Sequence, residues 1–158
     1  MPVSTPSLPV RKTVTRLGLA AAALTLALGA GLAQAHEALV KFNSARNFDD
    51  TVASLRQGLT AQGMTIFGEV DHAAAAAQVG LKMPPTTVLI FGNPKVGTPL
   101  MLAAPDVALD LPLRALVRER DGRVEVLMHP VGNLALPHDL SNRLAPAIEL
   151  VGKRVAQP

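Results

Sequence analysis

The chain contains no cysteine, no tryptophan and no tyrosine, and only 4 of its 158 residues are phenylalanine. Without thiols there is no disulfide framework, no Cys-ligated metal site and no thiol nucleophile. Carbohydrate and single-stranded nucleic-acid binders stack their ligands on aromatic rings. Here Phe42, Phe48, Phe67 and Phe91 are the only rings of that kind, and all four read as core residues. Serine is scarce beyond residue 35: Ser44, Ser54 and Ser141 stand there, none within a Gly-x-Ser-x-Gly elbow. No His-x-x-x-His pair, internal repeat or low-complexity linker is present.

Acidic side chains are missing from residues 1–35, whose only charges are Arg11, Lys12 and Arg16. An apolar run of Leu, Ala, Gly and one Thr extends from Leu17 to Leu32 and ends in Ala33-Gln34-Ala35. A basic start, a short apolar stretch and an Ala-x-Ala end are the parts of a cleavable secretory signal. The run is shorter than the roughly 20 apolar residues that span a bilayer, which disfavours an uncleaved anchor. The absent Cys excludes a lipoprotein anchor, and the absent Arg-Arg pair argues for Sec-type rather than twin-arginine export.

Residues 1–35 are therefore expected to be a signal peptide, and 36–158 a single exported domain, periplasmic or secreted. The whole chain carries a net charge of +3 and a pI near 9.8. Three of its 15 basic residues leave with the leader and all 12 acidic residues stay, so the mature chain is neutral. The general electrostatic case for nucleic acid or an anionic membrane surface goes with them.

In the mature chain, Leu39–Phe42 reads as a strand. Asn47 or Asp49 caps a helix whose Val52, Leu55 and Leu59 recur at helical spacing and which Gly63 ends. Met64–Val70 alternates as a strand, and Asp71 caps an Ala-rich helix over Ala73–Val79. Thr86–Phe91 is β-branched and continuous, as in a buried interior strand. Gly92–Gly97 has the composition of a turn, and Pro99–Pro112 leaves room only for a short helix around Pro105–Leu109. Arg114–Arg120 and Arg123–Met128 form a hairpin about Asp121-Gly122. Leu140, Leu144 and Ile148 mark a final helix, bent or begun late because of Pro146.

A series of short motifs runs through this stretch: Asp71-His72-Ala73-Ala74, Gly80-Leu81, Pro85-Thr86, Phe91-Gly92-Asn93-Pro94-Lys95, Gly97-Thr98-Pro99-Leu100-Met101 and Ala108–Leu113. Over about residues 39–145 the series resembles the family known as domain of unknown function 302. That resemblance implies an α+β fold: a helix-flanked antiparallel sheet of the TATA-box-binding-protein-like type, in the order β-α-β(4)-α. It also matches His138 to a His that members often carry near the last helix. It brings no activity with it, and the fold name does not imply DNA binding.

The candidate ligand-binding residues are Asp71, His72, Asn93, Lys95, Thr98 and His138. Gly92 and Gly97 have the spacing of a phosphate-binding loop, but Thr98 and Pro99 occupy the positions of its Lys and Ser/Thr. No nucleotide is expected. Asn93, Lys95 and Thr98 offer a polar rim to a pocket, or else a plain loop in which Gly supplies unusual backbone angles. His72, His129 and His138 could meet as ligands or bases. If cleavage follows Ala35, His36 becomes the N-terminus, and its amine and imidazole could chelate copper or zinc with His72 or His129. Arg114, Arg118, Arg120 and Arg123 alternate with Glu119, Asp121 and Glu125, as on a mixed-charge hairpin face or a protected sheet edge.

The reading that results is an exported module that binds a small molecule or a second copy of itself, leaning away from enzymatic activity. A copper- or zinc-binding protein is the first alternative, and a hydrolase or isomerase with His72 or His138 as general base the second. Protein recovered from the periplasm after export with its own leader is expected to begin at His36. Native mass spectrometry checks this, and a chain still starting at Met1 rejects the signal.

Overall fold

The computed structural model describes residues 38–157. Its strands are β1 (Val40–Asn43), β2 (Thr65–Asp71), β3 (Thr86–Gly92), β4 (Leu113–Arg120) and β5 (Arg123–Met128). They form one antiparallel sheet in the order β1-β5-β4-β3-β2. The helices are α1 (Phe48–Ala61), α2 (His72–Gln78), α3 (Pro94–Ala103), α4 (His138–Ser141) and α5 (Ala145–Ala156), with 3-10 turns at Pro105–Leu109 and Val131–Asn133. The architecture is α+β, as expected.

Strand alternation decides which face is covered. Leu89 and Phe91 of β3, Leu113, Ala115 and Val117 of β4, and Val124, Val126 and Met128 of β5 share one face. They pack against Val52, Leu55 and Leu59 of α1 and Ala147, Val151 and Val155 of α5. Leu55, Leu59, Leu89, Phe91, Ala115, Val117, Val126 and Val151 are fully buried. Of the four rings expected in the core, Phe91 is fully buried and Phe42 and Phe48 pack at its margin. Phe67 does not join them and is 55% exposed.

Helix α1 starts where the Asn47 side chain accepts the Asp50 N–H at 2.9 Å, and Asp49 and Asp50 occupy its positive end. It ends before Gly63, whose φ of +73° suits glycine. Asp121 (φ +52°) and Gly122 (φ +70°) form the two-residue turn between β4 and β5. The final helix begins late, at Ala145, with Pro146 in its first turn, where no N–H is missed.

The expectation for residues 94–103 also fails. The stretch from Pro94 to Ala103, read as a turn and a helix-poor segment, is a ten-residue helix. Pro94 stands at its start, and the Asn93 side chain accepts the Lys95 N–H at 2.9 Å. Pro99, inside the helix, removes only the bond to the Lys95 carbonyl and sits on an exposed face. Leu100 is fully buried in a second apolar cluster with Val107 and Leu144, against Val96, Met101, Leu111 and Leu140. That burial outweighs the poor helix propensity of the sequence. The 3-10 turn over Pro105–Leu109 falls where the short helix was expected.

The basic hairpin is not a sheet edge. β4 and β5 are both interior, paired on either side. On the face opposite α1 and α5, Glu125 is 6% exposed and receives two cations. Arg118 donates Nε and Nη2 to Oε2 at 3.1 and 2.9 Å, and Lys41 pairs with Oε1. These bonds, Lys41 first, hold the Glu125 carboxyl below its ordinary range. Its stabilising contribution is present above that range and is lost as pH falls through the lowered value. Glu125→Gln is therefore expected to melt below the parent at neutral pH, with the gap closing in acid. Thermal melts across pH check this, and a gap that stays constant into strong acid contradicts it.

Candidate functional site

The site begins with a fault in strand pairing. Ile66 pairs with Phe91 and Gly68 with Ile90, so Phe67 is an extra residue in β2. The bulge releases Phe67 from the core and turns it to the wall of a cavity of about 460 Å³. Met64 and Gly92 continue that wall. Helix α3 supplies Pro94, Val96, Gly97, Thr98 and Met101, with Asn93 just before it. Leu111, Pro112 and Leu113 close the side where the chain enters β4, and Arg143, Leu144, Pro146 and Ala147 close the side where α5 starts.

The lining is mostly apolar. Among the described residues its polar side chains are Asn93, Thr98 and Arg143, and Arg143 is the only charged one. The described ion pairs are Lys41–Glu125, Arg56–Glu69, Arg118–Glu125 and Arg120–Asp121, so no described carboxylate pairs with Arg143. The two glycines of the motif do not supply unusual angles, since the positive-φ glycines are Gly63, Gly80 and Gly122. They leave room instead. A Cβ on Gly92 would stand 3.5 Å from the Phe67 ring and 3.6 Å from Pro112 Cβ. One on Gly97 would meet only Leu111 Cδ1, at 3.8 Å.

Of the residues proposed from sequence, the cavity takes Asn93 and Thr98. Lys95 is exposed in the first turn of α3, outside the lining. Asp71 and His72 lie at the far end of the β2–β3 ladder. Thr65 pairs with Gly92 at the cavity end and Asp71 with Thr87 at the other, which separates them by about 17 Å. Asp71 caps α2 there, accepting the Ala74 N–H at 2.8 Å, and His72 is exposed.

His138 is exposed at the start of α4, its Nδ1 3.5 Å from Asn142 Nδ2. The nearby Ser141 hydroxyl donates to the His138 carbonyl at 2.9 Å rather than to its ring. His129 lines a separate cavity of about 170 Å³ with Asp110 and Arg114. His36 lies outside the described residues, and among those described no three His, Asp or Glu side chains are grouped as metal ligands.

Sequence reasoning missed Phe67 and Arg143. A glycine inside a strand pattern is a bulge signal, and Gly68 follows Phe67 directly. Arg143 has no local signal, because only the packing of α3 against the start of α5 brings it to the cavity.

The model for domain of unknown function DUF302 matches residues 40–157. A crystal structure of an uncharacterized conserved DUF302 protein from Bacillus stearothermophilus superposes with a TM-score of 0.66 at 16% identity, over 74% of this chain and 94% of that one. At that identity the likeness is one of fold. The chain is also 39% identical over 103 residues to fluoride-specific ion channel FluC 1 of Brucella suis biovar 1 (strain 1330), covering 65% of this chain and 41% of that protein. FluC 2 of Brucella melitensis biotype 1 matches at 39% over 103 residues, 38% of its length. The chain thus spans about two fifths of the curated relatives it matches. No helix among the described residues is long and apolar enough to cross a membrane.

Asn93 is the cap on which α3, and with it one wall of the cavity, depends. Asn93→Ala is expected to cost about 1 kcal/mol of stability. A denaturant titration measures this, and an unchanged midpoint shows that the helix start needs no cap.

Proposed function

The chain belongs to the DUF302 family, and from that premise we propose that it is an exported binding module that takes a small, largely apolar molecule into the cavity between α3 and the start of α5. The observation that carries this reading is the cavity itself. Its volume of about 460 Å³ lies in the range of small-molecule sites, roughly 300–1,000 Å³. A continuous apolar lining with a few polar groups is the usual composition of such sites. Two glycines keep the space open where side chains would narrow it.

Export rests on the leader-like composition of residues 1–35. The binding reading calls for no nucleophile, and Ser141, beside His138, has its hydroxyl committed to a backbone carbonyl. Ion conduction belongs to the names of whole relatives of which this chain matches two fifths, and it is not carried over.

Gly97→Leu tests the proposal, because the added side chain extends into the cavity from a helical position. It is expected to weaken binding of the neutral fluorescent probe N-phenyl-1-naphthylamine by at least about tenfold, or about 1.4 kcal/mol. Stability should hold or rise, since leucine is the better helix former by up to about 1 kcal/mol. A folded variant that binds the probe as tightly as the parent would remove the cavity as the site.

A further inference from the structure

We infer that the ligand of this cavity carries an anionic group, most simply a carboxylate on a short aliphatic or ring body, and that Arg143 is the residue that holds it. The inference rests on the binding reading above and names its substrate class. Among the described residues Arg143 is the only charged side chain in the lining, and no described carboxylate pairs with it. The other walls offer nothing to neutralise it. The first turns of α3 and α5 hold no acidic residue, whereas the first turn of α1 holds Asp49 and Asp50.

A guanidinium at the mouth of an apolar cavity is a selective arrangement. A neutral ligand leaves it to water and gains nothing from it. A carboxylate accepts two parallel N–H bonds from its planar fork while the apolar body fills the space behind. The Asn93 side-chain oxygen is occupied by the Lys95 N–H, which leaves the Asn93 amide nitrogen as a second donor on the α3 side of the cavity. A cation would meet Arg143 without a compensating acid, so the site selects against bases as well as for acids.

The test compares octanoate with octanol, molecules of like length that differ in charge. Each displaces N-phenyl-1-naphthylamine from the exported chain at neutral pH. Octanoate is expected to bind at least about tenfold tighter than octanol to the parent. In Arg143→Gln the octanoate preference should disappear, so that the two bind alike. Arg143→Lys should keep part of the preference, and Arg114→Gln, a change at the separate small cavity, should keep all of it.

Equal binding of acid and alcohol by the parent, while probe and alcohol both bind, overturns this inference and leaves the cavity reading standing. An octanoate preference that survives Arg143→Gln overturns the role of Arg143. If neither the probe nor octanol binds the parent, the cavity reading falls and takes this inference with it.

Discussion

Everything in this fold hangs on the burial of one sheet face. The residues that alternate toward α1 and α5 along β3, β4 and β5 are apolar from Leu89 through Ala115 to Met128, with Thr87 and Glu119 the polar members of that face. Their neighbours on the other face include Arg118, Glu125 and Lys41. A sheet patterned this way has one stable side for its helices, and a slip of one residue would reverse it. The two helices then fix the ends of the covered face. At one of those ends the main core stops and the smaller cluster around Leu100, Val107 and Leu144 takes over. The cavity lies at that junction, where α3 closes over the sheet without filling the space beneath it.

The fold was legible because its signals are local and periodic. Alternation marked β2, the β-branched run marked β3, and Asp121-Gly122 marked the hairpin. Asn47 and Asp71 cap the helices they were expected to cap. The failure at α3 has a physical cause. Its proline and glycine content argues for a loop on propensity alone, and what holds it helical is the burial of Leu100 against residues far along the chain.

The site was legible in part for the same reason. Asn93 and Thr98 belong to one contiguous motif, so their shared location could be read from sequence. Asp71 and His72 belong to a second motif, and their distance from the first depends on the register of β2 against β3. Phe67 and Arg143 reach the cavity through a bulge and a helix packing, which single-chain spacing does not encode. The family assignment brings the fold with it and leaves chemistry to the residues that line the space.

The bulge at Phe67 also acts as a phase shifter for the edge of the sheet. Beyond it, Glu69 pairs with Leu89 and so stands on the helix-covered side, where it reaches Arg56 of α1. Deleting that extra residue would make the pairing regular, with Ile66 and Gly68 consecutive against Phe91 and Ile90 and Glu69 still opposite Leu89. The aromatic wall of the cavity would be lost, while Glu69 would keep its side of the sheet and its ion pair to α1. Length in this segment thus decides whether the cavity has its aromatic wall, while pairing with β3 decides which side the rest of β2 faces.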